Sequence, residues 1–357
     1  FLDGAGASDA IARLQHQHAF AGLRQVSRAS KPIVSRAHDD GVPLAILNPM
    51  RHLPKHFVMC VLFCLNARAQ DRKVAMTFDD LPFAGSAKPS EAVAINDAIL
   101  SALRQHHAPA TAFVIGGWAL KLPLNEREAI FREWTEGAFD LGNHTFSHPN
   151  FDDLSLAAFE EDVTKGDDVI AGALAAAGRK PRWLRFPYNH TGDTKEKHEG
   201  VQAFLASRRE QIATCTIDST DYEFAEVYAR ALVNNDRATQ DRVKSDYLAY
   251  TAKEIDYYDT LATTIFFREV PQVMLLHASR LNAAVIDQIL AVFEQKGYRF
   301  VTLADAQSDP AYATLDTFVT SYGPMWGYRW AKERGVKVNG KLEPDPPQWI
   351  ETSLASK

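Results

Sequence analysis

Val74-Ala75-Met76-Thr77-Phe78-Asp79-Asp80 is the stretch on which the fold turns. Its apolar, β-prone first part reads as a buried strand. Two adjacent carboxylates then stand at the C-terminal end of that strand, where α/β folds place ligand-binding and catalytic groups. Successive residues on a strand face opposite sides, so Asp79 and Asp80 can take separate tasks, one on a metal and one on a proton. An Asp-Asp pair alone is also the composition of a solvated turn. The choice between the two rests on what the rest of the chain places at equivalent strand ends.

Outward from this stretch, strands and helices alternate. Further strands are expected at 110–115, 139–141, 182–185, 211–217, 273–276 and 298–303. Helices are expected over roughly 90–106, with Val93, Ile95, Ile99 and Leu103 on the apolar face, then over 125–137 and 195–208. Ser155 can cap a helix whose Phe159, Val163, Ile170 and Leu174 recur at helical spacing, and Gly178 suits its end. Val285, Ile289, Val292 and Phe293 mark another that stops at Gly297. About seven βα units predict an α/β fold with a parallel sheet, open or closed into a barrel. Two segments stand apart. Residues 223–269 read as a helical insertion of two helices, whose Tyr228, Tyr247, Tyr250, Tyr257 and Tyr258 fit packing better than a binding face. Residues 307–357 form a Pro- and Trp-containing tail, with Trp326, Trp330 and Trp349, expected to lie as a strap over the barrel.

Four more polar clusters follow predicted strands. Gly142-Asn143-His144-Thr145-Phe146-Ser147-His148 holds two histidines four residues apart. Joined by a carboxylate from another strand end, they make a plausible Asp-His-His metal site, the kind of ligand set that zinc takes in catalytic centres. Non-haem iron uses the same set, but the βα alternation argues against an iron oxygenase, expected to be all-β. Arg185-Phe186-Pro187-Tyr188-Asn189-His190 puts an arginine where a carboxylate can be held, although a surface ion pair would look the same. Asp218-Ser219-Thr220-Asp221-Tyr222 and Leu275-Leu276-His277 complete the set. Five such clusters at five strand ends point to one site.

In order and spacing, TFDD, HTFSH, RFPY, DSTDY and LLH resemble the five motifs of the NodB-type polysaccharide deacetylases, carbohydrate esterase family 4, over roughly residues 72–305. The resemblance implies a deformed (β/α) barrel of about seven parallel strands. It implies metal-dependent removal of acetyl groups from an acetylated glycan, with an N-acetylglucosamine polymer favoured. By motif position, Asp79 resembles the catalytic base and Arg185 the residue that orients it. Asp80, His144 and His148 resemble the ligands of one divalent metal, Zn2+ first. The backbone N–H of Tyr188 resembles the oxyanion donor. His277 resembles the general acid, with Asp221 its partner. Leu275 resembles the wall of the acetyl-methyl pocket, and Pro187 and His190 fall on the same substrate side, His190 either as an extra contact or as a brace for its turn. The chain departs from the family at Leu81 and Asn189, where glycine is usual, at Tyr222, where tryptophan is usual, and in the length of the 223–269 insertion. These departures leave the chemistry intact and bear on the substrate. A deacylase of a small amide is the nearest alternative. A non-catalytic glycan-binding protein would have no need of Asp79, Arg185 and His277 beside the ligands.

The 357 residues carry a formal net charge of −6, which gives no footprint for nucleic acid. Before the barrel, a basic stretch from Met50 to His56, an apolar run over 57–65 and Ala67-Arg68-Ala69 follow the order of a secretory signal peptide. The apolar run is too short to span a bilayer. The expectation is translation from Met50, cleavage after Ala69, and export to the periplasm or the medium without stable membrane insertion. Residues 1–49 then read as upstream sequence. Cys60 and Cys64 would leave with the signal, so Cys215 remains alone and no internal disulfide is expected. No pattern in the sequence specifies an oligomeric state.

Overall fold

In chain order the elements are β1 (Arg72–Leu81), α1 (Ala92–Gln105), β2 (Ala110–Val114), α2 (Leu124–Glu133), β3 (Phe139–Asn143), α3 (Leu156–Ala176), β4 (Trp183–Leu184), α4 (Lys195–Arg208), β5 (Gln211–Ile212), β6 (Ile217–Asp218), α5 (Asp221–Val233), α6 (Arg237–Phe266), β7 (Gln272–His277), α7 (Arg280–Gln295) and β8 (Tyr298–Phe300), with α8 (Trp326–Glu333) and α9 (Gln348–Ala355) in the tail. The computed structural model describes residues 72–355; the expected signal peptide and residues 1–49 lie outside them.

β1 is the central strand, buried from Val74 to its end. It pairs with β2 from Met76↔Ala110 onward, with β7 from Val74↔Gln272 to Asp79↔His277, and with β8 at Arg72–Val74. The strand order is β5-β4-β3-β2-β1-β7-β6, with β8 off this path on β1, and the pairings are parallel. This is the expected α/β architecture. The expected single strand over 211–217 is divided. Its first part pairs with β4 and its last with β7, and residues 213–216 cross the gap between the two sheet edges. Along that crossing, Ala213 N–H donates to Leu184 O at 2.8 Å and Thr216 N–H to Val273 O at 2.9 Å. One segment thereby links the two edges of the curved, barrel-like sheet.

The period-two rule sorts the core. On β1, Val74, Met76 and Phe78 join the main cluster under the outer helices, while Ala75 packs with Phe113, Trp183, Ala213 and Val273 inside the curved sheet. Thr77 and Asp79 share Ala75's face, so a carboxylate points inward at the strand's end. On α1, Ile95, Ile99 and Leu103 are buried but Val93 is 37% exposed, outside the face to which the sequence assigned it. Ser155 caps α3 as expected, its Oγ accepting from Ala158 N–H. α3 also braces the end of β3. Asn143 Nδ2 donates to Val163 O and Asp167 Oδ1, and a Cβ at Gly166 would collide with Asn143 Oδ1. Asn143 Oδ1 in turn accepts from Thr145 N–H at 2.7 Å, which fixes the residues on either side of His144.

α5 and α6 supply the two helices read in 223–269, and Tyr228, Tyr247, Tyr250 and Tyr258 are buried there. In the tail, Trp326 and Trp330 are buried and Trp349 Nε1 donates to Asp246 Oδ2. These tyrosines and the two buried tryptophans are packing residues.

Candidate active site

Three residues from two strand ends converge at Asp80. The residue has φ 61°, which breaks the strand's alternation and turns its carboxylate to the same side as that of Asp79. His144 directly follows β3, and His148 (φ 57°) is turned back by its N–H bond to Thr145 Oγ1. His144 Nε2 lies 3.5 Å and His148 Nε2 3.4 Å from Asp80 Oδ1. These three ligand atoms lie within 4.8 Å of one another. His144 Nδ1 sits 2.8 Å from Arg185 O, and a carbonyl can only accept, so Nδ1 carries the proton and Nε2 offers its lone pair. One carboxylate oxygen and two imidazole nitrogens, with a tautomer already fixed, fit a zinc-type ion.

Asp79 stands beside this group. Its Oδ2 is 3.3 Å from Arg185 Nη1 and 3.8 Å from His144 Nε2, and its Oδ1, though buried, accepts no hydrogen bond among the described residues. Arg185 is itself fully buried. Its Nε donates to Ala213 O at 2.8 Å, Nη2 to Thr77 Oγ1 at 3.1 Å and to Thr214 O at 3.4 Å, and the guanidinium lies over the Phe113 ring. The sequence's ion-pair alternative at the surface is thus excluded by burial. The charge is neutralised inside the barrel by Asp79 and held in place by carbonyls.

His277 is the register partner of Asp79 across the β1–β7 pairing. Its Nδ1 lies 2.6 Å from Asp221 Oδ1, and its backbone N–H donates to Asp221 Oδ2 at 2.8 Å. Asn282 Nδ2 also donates to Asp221 Oδ2. Burial works against a charged imidazole, but Asp221, with Asp80 and Asp79, overcomes it and raises His277 to about 10. Burial pushes Asp218, two residues before Thr220, up to about 6, with Asp221 adding to it.

The loop after β4 brings Tyr188 to the same place. Its ring meets the His148 ring edge-on at 4.8 Å between centroids, and burial with Asp80 and Asp153 pushes its hydroxyl well above the usual range. Pro187 is buried next to it. His190 Nδ1 lies 2.8 Å from both Asn150 Oδ1 and Asp152 Oδ2. Leu275 is buried and in register with Thr77 and Asp218. Tyr222 presents its ring edge to His277 at 6.2 Å.

Sequence reading missed three residues that serve this site. Thr77 donates to Met274 O and accepts from Arg185; its position two before Asp79 was the available signal. Asn282 and Arg329 act from 61 and 138 residues away on Asp221 and Thr191, and nothing local marks them.

The polysaccharide deacetylase family model matches residues 66–203. The chain is 25% identical over 237 residues to a peptidoglycan-N-acetylglucosamine deacetylase of Bacillus cereus, covering 65% of this chain and 66% of that protein. It is 34% identical over 117 residues to a chitooligosaccharide deacetylase of Bradyrhizobium, covering 33% of this chain and 46% of the relative. It is 28% identical over 151 residues to a chitin deacetylase of Colletotrichum lindemuthianum, covering 42% and 53%. The chain thus spans about half to two thirds of these relatives' lengths. Among solved structures, a polysaccharide deacetylase from Bacillus cereus aligns at a TM-score of 0.45 and 21% identity, over 65% of this chain and 91% of that one. A family 4 pseudoenzyme from Bacillus anthracis aligns at 0.44 and 15%, over 67% and 66%.

Proposed function

We propose that this chain, which belongs to the NodB-type polysaccharide deacetylases, is a divalent-metal-dependent hydrolase that removes acetyl groups from a polysaccharide or oligosaccharide, with an N-acetylglucosamine polymer favoured. The observation that carries the reading is the register pairing of Asp79 with His277, beside the convergence of Asp80, His144 and His148. A buried carboxylate and a cationic imidazole at one sheet end, next to a three-ligand cluster, are the parts that amide hydrolysis needs.

Asp80, His144 and His148 would hold one ion, Zn2+ first. When bound, such an ion polarises the acyl carbonyl and acidifies water. The remaining steps fall to the chain's own groups. Asp79 takes the proton of the attacking water, and Arg185 aims its carboxylate. The Tyr188 N–H receives the developing oxyanion, a contribution of about 3 kcal/mol for a well-placed donor. His277, kept cationic by Asp221, gives its proton to the leaving amine or alkoxide. Leu275, Pro187 and His190 fall on the acetyl side by their motif positions. The relatives' names all describe acetylated glycans, which supports the substrate class.

Export through a signal peptide at 50–69, with cleavage near Ala69, belongs to the same proposal. Among the described residues, no helix is long and apolar enough to cross a membrane. The test is acetate release from chitin oligomers, peptidoglycan, acetylated xylan and small N-acetyl amides, before and after chelation and zinc return. Zinc-dependent release from an N-acetylated glycan is expected. Release from small amides alone would replace the glycan reading with that of a small-amide deacylase.

A further inference from the structure

Tyr188 and Asn189 are successive non-glycine residues in the left-handed region, with φ 58° and 56°. Such residues cost of order 1–3 kcal/mol each and persist only where their surroundings impose them. Here the surroundings come from far along the chain. Arg329, 1% exposed, donates through Nη2 to Asn189 O at 2.9 Å and through Nη1 to Thr191 Oγ1 at 2.8 Å. Asp316 Oδ2, 3.0 Å from Nη1, and Pro324 O, 3.1 Å from Nε, fix the guanidinium, which lies over the Trp326 ring at 4.6 Å. His198 ties the same pieces together, with Nδ1 3.1 Å from Thr191 O and Nε2 2.7 Å from Asp316 O. Gly323 packs directly on the turn, and a Cβ there would collide with Tyr188 O. From the buried segment between β5 and β6, Cys215 Sγ donates to Asn189 Oδ1 at 3.2 Å.

We propose that residues 316–329 of the tail are a working part of the active site, and that Arg329 is the positioning residue that sets the Pro187–Asn189 turn and so aims the Tyr188 N–H. These residues lie beyond the segment 66–203 that the family model matches. The planar fork reaches four acceptors at once, Asn189 O and Thr191 Oγ1 at the turn and Asp316 Oδ2 and Pro324 O in the tail, which a lysine in its place could not do. The proposal rests on the deacetylase reading above, since that reading gives the Tyr188 N–H its task. An oxyanion donor acts on the transition state more than on the bound substrate, so misplacing it by a fraction of an ångström lowers kcat and spares KM.

Arg329→Ala, Arg329→Lys and Gly323→Ala are compared with the unaltered protein for kcat, KM, zinc stoichiometry, and hydrogen exchange at the amides of Asn189 and His190. Those amides bond Phe186 O and Pro187 O, each at 3.1 Å. The expected result is a fall in kcat of about 10²-fold with KM within about twofold. Zinc stoichiometry should stay unchanged and the two amides should exchange faster. Free guanidinium should restore part of the rate to Arg329→Ala and none to Gly323→Ala. A folded Arg329→Ala protein with unaltered kcat and unaltered amide protection would overturn the proposal. Should that variant not fold, Gly323→Ala decides by the same measures. If the unaltered protein released no acetate from any glycan, the functional reading would fall, while amide exchange would still decide whether Arg329 holds the turn.

Discussion

Arg185 shows how a buried charge is held in the site. Every direction of its fork ends on Asp79, Thr77 or a backbone carbonyl, and losing one partner of such a buried pair typically costs about 3–5 kcal/mol. His277 is the complementary case and carries a pH signature. Burial opposes its charge, yet Asp221 raises it from 6.5 to about 10 in the folded, metal-free chain. A group bound more tightly to its proton when folded stabilises fully below its unfolded value and loses that contribution as pH rises through its folded value. Urea midpoints of the metal-free protein should therefore fall from pH ~6.5 towards ~10. Asp221→Asn should flatten that decline; an unaltered slope in the variant would count against the pairing. At this scale the sequence was informative where a residue type carries its chemistry openly, as at Asp79, Asp80, His144, His148 and His277. Thr77 was marked only by its place two residues before Asp79, because its hydroxyl matters through Arg185, which arrives from another strand.

Among the elements, the boundaries that the sequence misplaced are those set by distant partners. The apolar run over 211–217 has strand composition throughout, but β4 and β7 take its two ends and nothing pairs its middle as a strand. Val93 has an apolar side chain at helical spacing, yet the packed face of α1 is chosen by its neighbours and leaves it exposed. By contrast, α4 falls on the expected residues because Thr194 caps it and charged residues mark its ends. The seam between α6 and the tail offers a second pH test. Burial, then the nearby Glu343, raises Glu254 to about 9, with Asp218 and Asp345 adding to it and Tyr250 acting against. Glu343 accepts from the hydroxyls of Tyr258 and Tyr328 in the same seam, and burial raises it too. Glu254 is thus neutral when folded and ionised when unfolded near pH 7, a loss of stability that grows from its ordinary value of 4.5 up to about 9. Glu254→Gln should match the unaltered protein near pH ~4 and exceed it in thermal midpoint near pH ~8. Equal midpoints at both pH values would contradict the assignment.

Over the whole molecule, the barrel and its polar strand ends were legible because each apolar run stops at a short cluster of chemically distinctive residues. The role of the tail was not, because Arg329 finds its partners 138 and 140 residues away. The same long reach organises the site. β1 delivers both carboxylates, β3 the two histidines, β4 the arginine and β7 the imidazole, so the reaction depends on the sheet's register. The central claim is that this register gives two adjacent aspartates different work. Metal content and deacetylation rate of Asp79→Asn and Asp80→Asn, measured side by side, test it most directly. Asp79→Asn should keep its zinc and its glycan while losing about 10²–10⁴-fold in rate, the usual contribution of a general base. Asp80→Asn should lose zinc affinity and recover part of its activity when zinc is added. An Asp79→Asn protein that loses zinc, beside an Asp80→Asn protein that retains it, would contradict the account.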